Sequence, residues 1–192
     1  VGCILLRFSK FSGRQEEAHQ INAACEAYRD EVSSEAAQYD MSDYVDLLLA
    51  VMMQESSGQG TDPMQSSEGA YNTRYPQQPN GITDPSYSIS CGIQELKYAL
   101  DKAGCTGPTD LSKIRLALQA YNFGADSYFA YLEENGQTVW TAQSAQAFAQ
   151  MASGGTQRDE DDPLHDPAGP WDYGDQYYPD HVLRYYHLDN NS

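Results

Sequence analysis

The chain has 192 residues, enough for one globular domain with a short segment at either end. Its 28 Asp and Glu outnumber 11 Lys and Arg, for a formal net charge of -17 at pH 7. A surface of that sign excludes nucleic acid and anionic lipid as partners, since affinity for either comes largely from Lys and Arg.

In chain order, the opening Val1 to Phe8 is apolar but interrupted by Arg7, and too short to span a bilayer. It reads either as the tail of a membrane anchor beginning upstream of residue 1 or as an ordinary terminus. From Glu16 to Tyr39, apolar residues at Ile21, Ala24, Cys25, Tyr28, Val32, Ala36 and Tyr39 recur every three or four positions, which predicts an amphipathic helix. Ser42 and Asp43 start a second helix, whose body from Val45 to Met53 is apolar nearly all round. Such a helix belongs in a core, and this one should end at Gln54-Glu55-Ser56. Ser57 to Ser86 is dense in Gly, Pro, Ser, Asn and Gln, a long irregular stretch of the kind that is either functional or disordered.

Ile89, Ile93, Leu96 and Leu100 form the next helical stripe, stopped near Gly104. Asp110 caps a helix through Leu111, Ile114, Leu118 and Tyr121, stopped at Gly124, and further helical runs cover Asp126 to Glu134 and Thr141 to Ala152. Ser153 to Tyr177 reads as an acidic surface loop, and Pro179 suits the first turn of a last helix, Asp180 to His187. With no strand alternation and no internal repeat, the fold class is all-α.

Cys3, Cys25, Cys91 and Cys105 show no CxxC spacing, which argues against a zinc site. Cys91 and Cys105 flank a helix that would hold them about 15 Å apart, whereas a disulfide needs Cα atoms within about 7 Å. Cys25 lies on an apolar stripe, and free thiols are expected. The run Asp159-Glu160-Asp161-Asp162 lacks the glycine and spacing of a calcium loop and reads as a solvated face. His19, His165, His181 and His187 show neither metal spacing nor a catalytic-triad order. No metal and no cofactor are expected, and the chain is expected to be a monomer.

Glu55 carries the first chemical signal. A carboxyl at the end of a buried apolar helix is partly desolvated, which raises its pKa. A carboxylic acid kept protonated near neutral pH is what a glycosidase needs to protonate a leaving sugar oxygen; the alternative is a helix-end Glu that simply reaches water.

The run Met52-Met53-Gln54-Glu55-Ser56-Ser57-Gly58 resembles the catalytic-Glu motif of soluble lytic transglycosylases and goose-type lysozymes. Asp62-Pro63-Met64-Gln65 is similar to that family's Gly-Leu-Met-Gln segment, with Asp-Pro in place of Gly-Leu. Ala120-Tyr121-Asn122-Phe123-Gly124 resembles its Ala-Tyr-Asn-x-Gly motif, and Tyr178-Pro179-Asp180-His181-Val182-Leu183-Arg184-Tyr185 its terminal motif. In order and separation the four resemble the lysozyme-like superfamily, in particular the lysozyme-like module of CwlT-type cell-wall hydrolases, over roughly Ala24 to Tyr186. Residues 1–23 then form a tail or post-anchor segment and 24–192 the catalytic domain.

The resemblance implies a lysozyme-like helical domain that cleaves the β-1,4 bond between N-acetylmuramic acid and N-acetylglucosamine in peptidoglycan glycan strands, outside the cell at the bacterial wall. Glu55 matches the general acid. Ser56, Met64, Gln65, Tyr121, Asn122 and Tyr185 match positions that line or back the substrate cleft, Ser56 with a hydroxyl that could help shape the helix end; for the tyrosines the competing reading is core packing, and for Asn122 a helix C-cap. Asp62 and Asp84 lie in the long loop as candidates for a second carboxylate, although Asp before Pro is also a routine turn element. Tyr71, Tyr75 and Tyr87 are candidates for stacking on sugar faces. The alternative function is a non-catalytic wall-binding or assembly protein that keeps the fold.

Overall fold

The computed structural model describes residues 19–188; the N-terminal segment, with Cys3 and the three basic residues before Glu16, lies outside the described residues. Among the described residues there is no strand, only an isolated antiparallel bridge between Gln157 and Trp171. The helices, in chain order, are α1 (Ala23–Glu26), α2 (Arg29–Gln38), α3 (Val45–Ser56), α4 (Pro85–Ala103), α5 (Leu111–Phe123), α6 (Ala125–Glu134), α7 (Ala142–Ala152), α8 (His165–Ala168) and α9 (Tyr178–Leu183). A 3₁₀ turn, Ser42–Tyr44, leads into α3. The all-α expectation holds.

Several boundaries differ from the sequence reading, among them the start of α4 and the short α8 inside the stretch read as a surface loop. The single helix expected from Glu16 to Tyr39 is two: Asn22 Oδ1 accepts from Cys25 N at 2.8 Å and starts a new helix there. Tyr28 N then bonds Cys25 O in a tight turn that separates α1 from α2. The last helix begins at Tyr178 and ends at Leu183, rather than running to His187.

The other starts follow their caps. Asp84 accepts from Ser86 N and Tyr87 N ahead of Pro85, so α4 begins four residues before its first stripe position. Asp110 accepts from Lys113 N at α5, and Thr141 with Ser144 forms a capping box at α7.

Helix α3 runs through the middle of the molecule, with Leu47, Leu48, Leu49, Ala50, Val51 and Met52 all fully buried, as its all-round apolarity requires. Around it pack Val32 and Ala36 of α2, Ile89, Ile93 and Leu96 of α4, Ile114 and Leu118 of α5, and Tyr178 and Val182 of α9. Burying a Leu or Ile side chain contributes about 2 kcal/mol, so this cluster fixes where α3 ends. That end is tied down from outside: Asn22 Nδ2 donates to Ser57 O at 3.0 Å, just beyond the helix.

Cys25, Cys91 and Cys105 are free thiols, the first two buried. Among the described residues, no helix is long and apolar enough to cross a membrane and no cluster of His, Cys, Asp and Glu is placed to hold a metal ion.

Candidate active site

Glu55 is the penultimate residue of α3, half-buried at the mouth of the core. Its neighbours set its chemistry. Burial pushes its pKa up from 4.5 to about 7, the negative charges of Asp175 and Asp62 push the same way, and a hydrogen bond from Tyr178 opposes them. The C-terminal end of α3 also carries partial negative charge, which disfavours a carboxylate there. A sizeable fraction of Glu55 is therefore a neutral acid at pH 7.

Tyr178 is the group in direct contact. Its hydroxyl donates to Glu55 Oε1 at 2.5 Å, and its ring is buried, 2% exposed. The ring stacks on Tyr121 of α5 with centroids 6.4 Å apart and planes 18° from parallel. The Tyr121 hydroxyl in turn donates to Met64 O at 2.8 Å. One line of contacts thus runs from the long loop through two tyrosines to the acid.

The loop, residues 57–84, is ordered by one buried carboxylate. Asp62 is 1% exposed and accepts from Ser66 N at 3.0 Å, Ser67 N at 3.2 Å, Ser88 Oγ at 2.6 Å and the Ser67 hydroxyl. Ser88 also accepts from Met64 N at 3.1 Å, so the network fixes the carbonyl that holds Tyr121. Asp62 therefore does not stand in the cleft as a free second carboxylate: its acceptor sites are spent on the loop. Asp84 is the N-cap of α4, the turn role its sequence context allowed.

Two of the expected cleft residues, Met64 and Tyr185, act differently from expectation, and Ser56 acts at the helix end. Met64 is fully buried against Gly92, where any Cβ would lie 2.6 Å from Met64 Cβ, so its side chain is core and only its backbone carbonyl serves the site. The Ser56 hydroxyl donates to Pro63 O at 2.7 Å and accepts from Gly58 N, closing the helix end. Tyr185 packs edge-on against His19 under the Arg184 guanidinium. The tyrosine on the acid is Tyr178, at the start of α9, whereas Tyr185 lies beyond its end.

Gln65, Tyr121 and Asn122 do come together, lining a cavity of about 480 Å³ with Gly69, Tyr71 and Glu95 among its walls. Gln65 holds a left-handed backbone, φ 48°, a conformation costing about 1 kcal/mol or more, and its amide donates to Asp62 O and Asn80 Oδ1. Asn122 Oδ1 accepts from Asp175 N at 2.8 Å, which brings the terminal loop to the cleft. Asp175 also pairs with His181 at 2.5 Å. Tyr71 lines the cavity, while Tyr75 and Tyr87 pack on each other at 5.5 Å.

Sequence reasoning missed Tyr178, Asp175, His181 and Glu95 as parts of the site. Tyr178 stood in the quoted terminal motif, directly before the proline that starts a helix. Asp175 and His181 are six residues apart across a loop and a helix start, a separation no local periodicity marks. Glu95 stood beside the Leu96 stripe position, in no motif that would mark it.

A family model described as lysozyme-like matches residues 23–186. The chain is 35% identical over 173 residues to a Bacillus subtilis (strain 168) protein named bifunctional muramidase/DL-endopeptidase CwlT, covering 90% of this chain and 43% of that protein. It is 37% identical over 110 residues to a pneumococcal vaccine antigen A homolog of Streptococcus pyogenes serotype M1, covering 57% of this chain and 50% of that one. A solved Staphylococcus aureus structure, described as similar to lipoprotein of the NLP/P60 family, matches with a TM-score of 0.74 and 26% identity, over 90% of this chain and 56% of that chain. The chain spans about half the length, or less, of the curated relatives cited.

Proposed function

From the premise that the chain belongs to the lysozyme-like family, we propose that it cleaves the β-1,4 bond between N-acetylmuramic acid and N-acetylglucosamine in peptidoglycan, with Glu55 as general acid. The observation that carries this reading is the setting of Glu55: a half-buried carboxyl with its pKa raised to about 7, bonded to the Tyr178 hydroxyl, whose ring stacks on Tyr121 in the wall of the cavity of about 480 Å³. Glu55 protonates the bridging oxygen as positive charge develops on the muramic acid ring. Its deprotonated form then faces that charge and stabilises it. Tyr178 keeps the carboxyl in one orientation through both stages.

Two fates of the oxocarbenium-like centre follow from the same first step. Water attack gives a reducing muramic acid end; attack by the sugar's own C6 hydroxyl gives a 1,6-anhydro end. The similar B. subtilis protein is named a muramidase, which supports hydrolysis. Because peptidoglycan is anionic and this chain has a net charge of -17, recognition rests on local contacts in the cleft rather than on long-range attraction. The substrate places the site of action at the bacterial wall, outside the cell.

The test is mass spectrometry of fragments released from purified peptidoglycan, with and without borohydride reduction. Reducible muramic acid ends establish a muramidase and anhydro ends a transglycosylase. Binding to the wall with no fragments released would turn the reading to a wall-binding protein that keeps the fold.

A further inference from the structure

Glu95 lies on α4 with its carboxyl at the cavity wall opposite Gly69. The approach is so close that a Cβ on residue 69 would lie 1.3 Å from Glu95 Oε1, so any side chain there would displace this carboxyl. Among the described residues, no hydrogen bond to the Glu95 side chain forms.

Burial pushes the Glu95 pKa up to about 8, and the charges of Asp62 and Glu55 add to that. The other titratable groups around it include Glu68 and Tyr71 from the loop, Tyr98 and Cys91 on its own helix, Tyr121 from α5 and Asp126 from α6. None of them supplies a positive charge. At neutral pH, Glu95 is thus a neutral acid whose proton has no partner in the protein. Its carboxyl borders the open cavity, where solvent or a bound ligand completes the bond.

The cavity defines what can complete it. The partner must accept a hydrogen bond and be uncharged, because Glu55 and Asp62 already make this region repel anions. It should also carry a small apolar part, since Ala120 and Phe123 contribute to the wall. An acetamido group has both: a neutral carbonyl oxygen and a methyl group.

We propose that Glu95 is a substrate-binding residue of this cleft, donating a hydrogen bond from its carboxyl to the N-acetyl carbonyl oxygen of a sugar seated between Gly69, Tyr121 and Asn122. The proposal rests on the glycan-cleaving reading and names one contact within it. Ionised Glu95 has no proton to donate and repels the carbonyl oxygen, so sugar binding weakens as the pH rises through about 8.

The experiment is calorimetric binding of tetra-N-acetylchitotetraose, a peptide-free acetylated glycan, between pH 6 and pH 9.5. The background is Glu55→Gln, which removes the other acid titrating in this range. With Glu95 intact, affinity falls about five- to tenfold across pH 8, the size of one lost hydrogen bond. Adding Glu95→Gln, whose amide still donates, abolishes the pH step and keeps tight binding throughout. Adding Glu95→Leu gives the weaker affinity at every pH. Equal binding by all three proteins, a pH step that survives Glu95→Gln, or no binding by any of them would overturn the proposal. Glycan cleavage by the unsubstituted chain is measured alongside: if cleavage occurs and the Glu95 series is flat, the Glu95 contact alone fails. If cleavage is absent while the series behaves as stated, the catalytic reading fails and the sugar site stands.

Discussion

Tyr178 donates its hydroxyl hydrogen to Glu55 Oε1 at 2.5 Å, joining two residues 123 positions apart in the chain. The bond favours the ionised form of Glu55, whereas burial and the charges of Asp175 and Asp62 favour the neutral one. The balance leaves the acid titrating near the middle of the physiological range, where it can both give a proton and face a developing cation.

Replacing Tyr178 by Phe removes the influence that lowers the Glu55 pKa, so the acid becomes weaker. The alkaline limb of the activity profile should move to higher pH, by about half a unit to one unit. The turnover number should fall about tenfold as the carboxyl loses its fixed orientation. A pH–rate profile of Tyr178→Phe checks both; an alkaline limb that moved to lower pH would reverse the assigned direction.

In the unsubstituted protein, the general acid must be protonated. Activity is therefore expected to be full below about pH 7 and to fall about tenfold per pH unit well above it. Glycan release measured from pH 5 to pH 9 gives the curve directly.

Stability should move the same way. Glu55 and Glu95 have folded values of about 7 and about 8, both above the ordinary 4.5. The folded state therefore holds protons the unfolded chain has released, and the stability each contributes, complete below about pH 4.5, is lost as the pH rises through the folded value. Thermal unfolding should thus occur at lower temperature at pH 8 than at pH 5. Glu95→Gln should flatten that difference and be more stable than the parent at pH 8 by on the order of 1 to 3 kcal/mol. Melting curves at the two pH values decide it.

Asp62 should matter through the loop it organises. Asp62→Ala leaves Ser66 N, Ser67 N, and the Ser67 and Ser88 hydroxyls without their acceptor, at a cost of about 2 to 4 kcal/mol. Hydrogen exchange should quicken across residues 62–72 and at Ile82, whose amide depends on Ser67 Oγ, and activity should fall with it. Rapid exchange confined to Asp62 itself would show that the loop is held by something else.

Gly69→Ala drives a methyl group into the Glu95 carboxyl and should cost about 1 to 3 kcal/mol. Adding Glu95→Ala makes room, so the double variant should lose less than the sum of the two single losses. Urea unfolding of all four proteins measures the coupling, and strict additivity would deny the contact.

Much of the helical frame could be read from the sequence because its signals are local. The apolar run from Val45 to Met53 forced α3 into the core, and Asp84, Asp110 and Thr141 cap the helices that follow them. Ile89, Ile93, Leu96 and Leu100 are buried as their spacing required. The first helix was misread because a periodic apolar pattern does not show a break, and the turn at Tyr28 makes one. The site was only partly readable, for a different reason: Glu55, Gln65, Tyr121 and Asn122 sit in recognisable motifs, but what surrounds them is tertiary. That Met64 offers a carbonyl and not a side chain depends on Gly92 lying against it. That Asp62 is a hub depends on Ser88, 26 residues away. Glu95 gains its character only when Gly69 is folded over it.

The central claim, that Glu55 is the acid that breaks the glycan strand, is tested most directly by comparing the parent with Glu55→Gln on purified peptidoglycan. Gln fills the same space and can still accept from Tyr178, but it has no proton to give in this range. Fragment release should fall by a factor of about a thousand or more, while the melting temperature at pH 7 is unchanged or higher. A Glu55→Gln protein that released the same fragments at a comparable rate would contradict it.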